Sequence, residues 1–201
     1  MQQDTTHMDP RESEMASQAY LQQLKNTFEQ LPNEIPLYLF VAKGQDDVFT
    51  QANREVVRAF RQLTDKITMR EYDLDHELAE KWNVTHSPTL VIAPEKYSIH
   101  WLGAPMGEEA RTFLEILILI GLGKSQLSEQ SLKVIKRIDS DRQVKIFVSP
   151  TCPYCPQQAI NGAKAAVARP DLVSLELIDI QCRPDIAQQY SAHSVPVAYA
   201  N

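Results

Sequence analysis

The chain has 201 residues, 43% hydrophobic and 23% charged, which is the composition of an ordinary globular protein of one or two domains and excludes disorder as its main state. A net charge of −6 lacks the electrostatic footprint of a nucleic-acid binder. Three cysteines cannot build a disulfide framework, and apolar runs such as Ile116 to Ile120 fall far short of the roughly 20 residues that cross a bilayer.

Residues 1 to about 14 read as a disordered lead. Met1 to Ser17 is polar, with Asp4, Asp9, Glu12 and Glu14 and no apolar block, so it is not a secretory signal. The expected location is cytoplasmic, where a close cysteine pair is more often catalytic or metal-binding than structural. Apolar positions at helical spacing predict a helix over Ala16 to Leu31, stopped by Pro32 and Pro36. Pro36 to Val41 reads as a buried strand. A helix follows over Asp47 to Leu63, a strand over Ile67 to Asp73 and a short helix over Leu78 to Trp82. Two strands, Thr89 to Ala93 and Ser98 to Leu102, are joined through Pro94. Glu108 to Leu122 is apolar on most of its surface and is expected to be a helix covered on several sides, ended by Gly121 and Gly123. The second half runs helix (Leu127 to Ile138), strand (Gln143 to Val148), helix (Pro153 to Val167), strand (Leu172 to Ile180), short helix (Pro184 to Tyr190) and strand (Pro196 to Ala200).

This second half repeats the first. Ala79 and Ala187, Trp82 and Tyr190, and Pro88 and Pro196 are each 108 positions apart. A constant offset over equivalent helix turns marks two copies of one α/β fold, residues 15–123 and 124–201. The first copy continues about 34 residues beyond Pro88, whereas five follow Pro196. The second copy is therefore expected to be truncated at its last strand and helix.

Pro150-Thr-Cys152-Pro-Tyr-Cys155-Pro156 lies between a strand and a helix. Pro153 suits the first helical position, which sets Cys152 at the helix start, where backbone N–H groups favour a thiolate. Cys152 is the expected nucleophile towards a disulfide, and Cys155, one turn on, the resolving thiol. The competing readings are two buried thiols or a structural zinc site; the zinc site needs four ligands, and no second pair is present. Ser194-Val195-Pro196 is the second element. A proline opening a strand beside a redox pair is a candidate cis bond that would present the Val195 backbone to substrate.

Cys152-Pro-Tyr-Cys155 resembles the active site of glutaredoxins. The tandem arrangement, with Trp101-Leu-Gly-Ala-Pro-Met-Gly-Glu-Glu109 opening a helix and Lys136-Arg-Ile-Asp139 before the redox strand, is similar to two families. One is the N-terminal domain of the F component of alkyl hydroperoxide reductase, with its thioredoxin-reductase-like flavoprotein relatives; the other is the two-unit protein disulfide oxidoreductases. Either resemblance implies two tandem thioredoxin-like units. The first implies electron transfer from a flavoprotein body, which would carry FAD and NAD(P)H, to a peroxiredoxin. This chain itself is expected to bind no cofactor, metal, nucleic acid or membrane. The resemblance also implies a catalytic set of Cys152, Cys155, Pro196 and Glu109, with Thr151, Pro153, Tyr154 and Val195 on the substrate side. Glu109 then stands as a proton-transfer group for Cys155, or as an ordinary acid of a first helical turn.

In the first copy Asp46 and Phe49 stand where the cysteines would be, so dithiol chemistry is excluded there although Ser87-Pro88 is kept. Ile146 occupies the place of the buried acid of thioredoxins, and Ser149 the place of a glutaredoxin lysine. Cys182 reads as a semi-buried filler, and His86 and His193 as loop residues. Three functions remain: an electron carrier of a flavoprotein reductase, a free-standing protein disulfide oxidoreductase, and a non-catalytic docking module.

Overall fold

The computed structural model describes residues 10–201, with side chains from residue 18 onwards. The expected disordered lead lies outside the described residues over 1–9. Over 10–14 the chain is already helical, because α1 runs from Pro10 to Glu29. The remaining elements follow in the expected order: β1 (Ile35–Val41), α2 (Val48–Arg61), β2 (Ile67–Asp73), α3 (Glu77–Lys81), β3 (Thr89–Ile92), β4 (Ile99–Leu102), α4 (Glu109–Leu122), α5 (Glu129–Ile135), β5 (Arg142–Val148), α6 (Cys155–Ala168), β6 (Val173–Asp179), α7 (Pro184–Gln189) and β7 (Val197–Ala200).

The seven strands form one sheet in the order β2-β1-β3-β4-β6-β5-β7. Within the first copy β1 lies parallel to β2, with Ile35 opposite Ile67, and antiparallel to β3, while β3 and β4 are antiparallel. The second copy repeats this arrangement. There β5 lies parallel to β6, with Arg142 opposite Val173, and antiparallel to β7. The copies are fused rather than merely adjacent, because β4 pairs in parallel with β6, Ile99 opposite Leu175 and Leu102 opposite Ile178. This pairing satisfies two edges that would otherwise expose unpaired backbone. It also directs β1 and β5 to the same end of the sheet.

Strand alternation divides the side chains between two faces. Leu37, Leu39, Val41, Ile146, Val148, Leu175 and Leu177 face one continuous core with Phe28, Val57, Phe113, Ile116, Ala159 and Ala163 of the covering helices. The opposite face carries two smaller cores. Phe40 and Val91 pack with Ala79 and Val84 at α3. Phe147 and Ile178 pack with Ile186 and Ala187 at α7. As its composition implies, α4 is the central helix, buried at Phe113, Leu114, Ile116, Leu117, Leu119 and Ile120. Gly121 lies inside α4 rather than ending it, against Leu31, and Gly123 is the left-handed C-cap at φ +65°.

The internal repeat survives as backbone geometry. Trp82 and Tyr190 both cap their helices, donating N–H to Leu78 O and Ile186 O, each at 3.1 Å. Asn83 (φ +55°) and Ser191 (φ +53°) follow in the left-handed region. Val84 N–H donates to Ala79 O at 2.7 Å, and Ala192 N–H to Ala187 O at 2.8 Å. Ser87–Pro88 and Val195–Pro196 are both cis.

Candidate active site

The end of β5 runs into a tight turn in which Cys152 N–H donates to Ser149 O at 3.0 Å. Helix α6 then begins at Cys155, two residues later than the sequence predicts, with Tyr154 as N-cap and Pro156 in the first turn. Pro156 rather than Pro153 therefore fills the position where a missing N–H costs nothing. The tight turn holds Pro153 and Tyr154 ahead of the helix, and Cys152 reaches the helix end from outside it. The Cys155 N–H donates to Cys152 Sγ at 3.1 Å, so Cys152 still receives the helix-terminal amide that favours a thiolate.

Cys152 and Cys155 are joined as a disulfide, their Cα atoms 5.5 Å apart. Cys152 keeps a sliver of exposure at 7%, whereas Cys155 is fully buried. Cys152 Sγ lies 3.7 Å from Val195 O, which brings the cis-proline loop over the redox pair. Pro196 is half-buried there. Thr151 and Pro153 are exposed, and the Thr151 hydroxyl lies 3.3 Å from that of Ser149. Tyr154 projects into solvent, 76% exposed.

The corresponding corner of the first copy is closed by polar side chains. Gln45 N–H donates to Ala42 O at 2.9 Å, which is the turn made by Cys152. Gln45, not Asp46, therefore occupies the place of Cys152, because the first copy has one more residue between this turn and the buried face of its helix. Gln45 Oε1 accepts from Ser87 Oγ at 2.6 Å, and Ser87 Oγ accepts from Ala42 N–H at 2.7 Å. Asp47 caps α2 by accepting from Thr50 N–H at 2.8 Å. No cysteine precedes Cys152 in the sequence, so this copy has no thiol.

Glu109 opens α4 in the first copy and is 1% exposed. The start of this helix is pinned to the redox turn, because Glu108 N–H donates to Pro150 O at 3.0 Å. Gly107, at φ +57°, lies so close to Pro150 that a Cβ would collide with its carbonyl. Among the described residues no donor meets either carboxylate oxygen of Glu109 in full hydrogen-bond geometry, although the Thr112 hydroxyl lies close enough to favour the charged form. Burial pushes its carboxyl up to about 7, helped by the negative charges of Asp179 and Glu108 and opposed in part by Thr112 one turn along.

Asp179, at the end of β6, is a site residue that sequence reasoning misses. It is 1% exposed, Oδ1 accepts from Gln181 N–H at 2.8 Å, and Oδ2 has no partner. Burial raises its carboxyl above the usual value. The available signal is an acid ending the strand Val173–Asp179 in step with Val173, Leu175 and Leu177 on its buried side. Cys182 is half-buried behind it and, chiefly through burial, is pushed up to about 12, so it carries no thiolate near neutral pH. Among the described residues no group of three or more His, Cys, Asp or Glu is placed to hold a metal ion, and no helix is long and apolar enough to cross a membrane.

Residues 142–201 match the family model described as thioredoxin domain. The probable thioredoxin of Methanothermobacter thermautotrophicus is 35% identical over 60 residues, 29% of this chain and 68% of that protein. The chain belongs to the thioredoxin family. Its longer likeness is to the F component of alkyl hydroperoxide reductase from Xanthomonas campestris pv. phaseoli, 26% identical over 141 residues. That match takes in 69% of this chain and 25% of the relative, so the chain spans about a quarter of that relative's length. Among solved structures, the alkylhydroperoxide reductase AhpF of Enterococcus faecalis superposes with a TM-score of 0.79 at 25% identity, over 92% of this chain and 89% of that one. A protein disulfide oxidoreductase from Aeropyrum pernix superposes with a TM-score of 0.77 at 19% identity, over 91% of this chain and 83% of that one. The fold is thus the tandem thioredoxin-like arrangement that the internal repeat and the motifs imply, and the Cys152–Cys155 pair makes the second copy a disulfide-oxidoreductase-like member of the thioredoxin family.

Proposed function

We propose that this chain carries electrons by dithiol–disulfide exchange at Cys152 and Cys155, between a flavoprotein reductase body and a peroxiredoxin, within a reducing compartment such as the cytoplasm. The contact of Cys152 Sγ with the Cys155 N–H at the start of α6 carries this reading. It gives one of the two sulfurs the helix-end stabilisation that an attacking thiolate needs.

In the reduced chain the Cys152 thiolate attacks a substrate disulfide. One Cys152–substrate S–S bond forms, and the first substrate sulfur leaves as a thiolate that takes up a proton. Cys155 then gives up its proton and attacks Cys152 Sγ, which releases the second substrate thiol. The Cys152–substrate S–S bond breaks as the Cys152–Cys155 bond forms, the second substrate sulfur takes up a proton as it leaves, and two electrons pass from the chain to the substrate. One of the substrate's two protons matches the one Cys155 gave up and the other comes from solvent, because Cys152 entered as a thiolate. The flavoprotein, holding FAD and drawing on NAD(P)H, returns the electrons. Glu109 is the proposed acceptor of the Cys155 proton, supported by its burial and by the pinning of α4 to Pro150. Val195, through its backbone, and Thr151, Pro153, Tyr154 and Pro196 form the proposed substrate surface. The first copy is the scaffold and docking unit.

The test starts from the chain reduced with dithiothreitol, freed of reductant and mixed with an equimolar disulfide-form peroxiredoxin. Wild type should reduce one disulfide per chain, and Cys152→Ser none. Cys155→Ser should accumulate a mixed disulfide through Cys152. Reduction by Cys152→Ser at the wild-type rate would overturn the reading.

A further inference from the structure

The two copies fasten the loop that carries their matched proline in different ways. In the first copy the fastening lies at the redox-type turn itself. Ser87 Oγ accepts from Ala42 N–H at 2.7 Å and donates to Gln45 Oε1 at 2.6 Å. In the second copy Val195 stands 108 positions on from Ser87. It has no hydroxyl, and its backbone oxygen faces Cys152 Sγ at 3.7 Å. Here the fastening runs to α7 instead. Tyr199 on β7 donates its phenol O–H to Tyr190 O at 2.6 Å. Tyr190 is the C-cap of α7, and Tyr199 follows Pro196 by three residues. One bond therefore ties the start of the loop to the strand at its end.

The corner around that bond differs from its counterpart in the same direction. Phe147, Tyr190 and Tyr199 close an aromatic triangle, with Phe147 centred 5.6 Å from Tyr190 and 5.9 Å from Tyr199, and the two tyrosines 5.4 Å apart. Lys145 lies opposite Tyr199 in the strand register and sets its ammonium 5.8 Å from the Tyr190 ring, while it pairs with Glu176 of β6. In the first copy Tyr38 lies opposite Val91, and Trp82 packs on Tyr38 with ring centroids 4.6 Å apart. Val91 stands 108 positions before Tyr199 and has no donor to offer the C-cap carbonyl. The copy without thiols thus spends its loop-fastening hydroxyl on the turn, and the copy with thiols keeps that turn clear.

We propose that Tyr199 is a positioning residue of the redox site, whose hydroxyl clamps the 190–199 loop to α7 and so holds the Val195 backbone ready for an extended segment of a protein disulfide. The clamp follows from geometry; its service to a substrate rests on the exchange reading above. A loop fixed beforehand need not be ordered when the substrate arrives, and binding gains what ordering would have cost. The clamp acts at Tyr190 and leaves the contact of Cys152 Sγ with the Cys155 N–H as it is. It therefore governs how tightly a protein substrate is held rather than how fast the sulfurs exchange.

The test is Tyr199→Phe in the full chain, which keeps the ring against Phe147 and Tyr190 and removes only the hydroxyl. The first readout is amide hydrogen exchange by NMR in the oxidised chain. Ala192 N–H donates to Ala187 O at 2.8 Å inside the clamped turn, and its counterpart Val84 N–H donates to Ala79 O at 2.7 Å in the first copy. Ala192 should exchange about five-fold faster in the variant, the weight of one net hydrogen bond, with Val84 unchanged. No change at Ala192, or equal acceleration at both amides, would overturn the clamp. The second readout is exchange by the reduced chain. The half-saturating concentration of a protein disulfide should rise several-fold at an unchanged limiting rate, and the rate with a small aromatic disulfide should stay the same. An unmoved half-saturation, or equal slowing with the small disulfide, would overturn the service to substrate. The amide readout uses the disulfide form, so failure of the exchange reading in Cys152→Ser leaves it untouched.

Discussion

Replacing Glu109 by Gln should stabilise the chain in a way that depends on pH. The Glu109 carboxyl titrates near 4.5 when free and is pushed up to about 7 in the fold. A raised carboxyl means that the folded state binds the proton more tightly than the unfolded state. Below about pH 4 both states are protonated, and Glu109 contributes no penalty. As pH rises through the unfolded value the unfolded chain ionises first, and folding stability falls until the folded carboxyl also ionises, near pH 7. A displacement by one pKa unit is worth about 1.4 kcal/mol, so the full penalty is about 3 kcal/mol and the part developing between pH 5 and pH 8 roughly 2.5 kcal/mol. Gln does not titrate, and any cost of burying its amide is the same at both pH values. The assay is urea unfolding of oxidised wild type and Glu109→Gln at pH 5 and pH 8. The stability difference between variant and wild type should move in favour of the variant by about 2.5 kcal/mol at the higher pH. An equal difference at both pH values would refute the reasoning and make Glu109 an ordinary first-turn acid.

Tyr154→Ala should leave the unfolding midpoint unchanged, since the ring is 76% exposed. The same change should slow exchange several-fold with a protein disulfide but not with a small aromatic disulfide; equal slowing with both would remove Tyr154 from the docking surface. Gly107→Ala should destabilise the chain by about 1–3 kcal/mol, because it combines a positive φ with a clash against Pro150 O; urea unfolding reads this directly, and a neutral result would mean that the turn before α4 can move away from the redox loop. Cys182, pushed up to about 12, should react with iodoacetamide at pH 8 at least ten-fold more slowly in the folded chain than in urea; equal rates would contradict its burial beside Asp179.

The sequence carries the local pieces well. The 108-residue offset sets Trp82 on Tyr190 and Pro88 on Pro196, and the backbone repeats those turns bond for bond. Alternation and helical spacing locate all seven strands and place α4 at the centre, because burial on one or several sides leaves a periodic trace. The fusion of the copies leaves none. β4 and β6 are far apart in the chain, and nothing in the four residues of Ile99–Leu102 says that a parallel partner will cover that edge. Apart from α1, which begins at Pro10 rather than Ala16, starts of elements fall a residue or two from their expected places. The tight turn at Cys152 holds Pro153 outside α6, and an extra residue in the first copy moves Gln45 into the place expected for Asp46. At the site the two cysteines announce themselves by spacing. Asp179 does not, because an acid ending a strand is common and the close approach of Gly103 from the other copy leaves no local trace.

The most direct measurement of the central claim is the order in which the thiols of the reduced chain are alkylated. A pulse of iodoacetamide at pH 6, followed by denaturation, a second label and peptide mass spectrometry, reads the three cysteines separately. Cys152 should be modified first by at least ten-fold, with Cys155 and Cys182 still free, because Cys152 alone receives the helix-end N–H and keeps exposure at the redox turn. Modification of Cys155 or Cys182 ahead of Cys152 would contradict the assignment of the attacking thiol and, with it, the mechanism built on it.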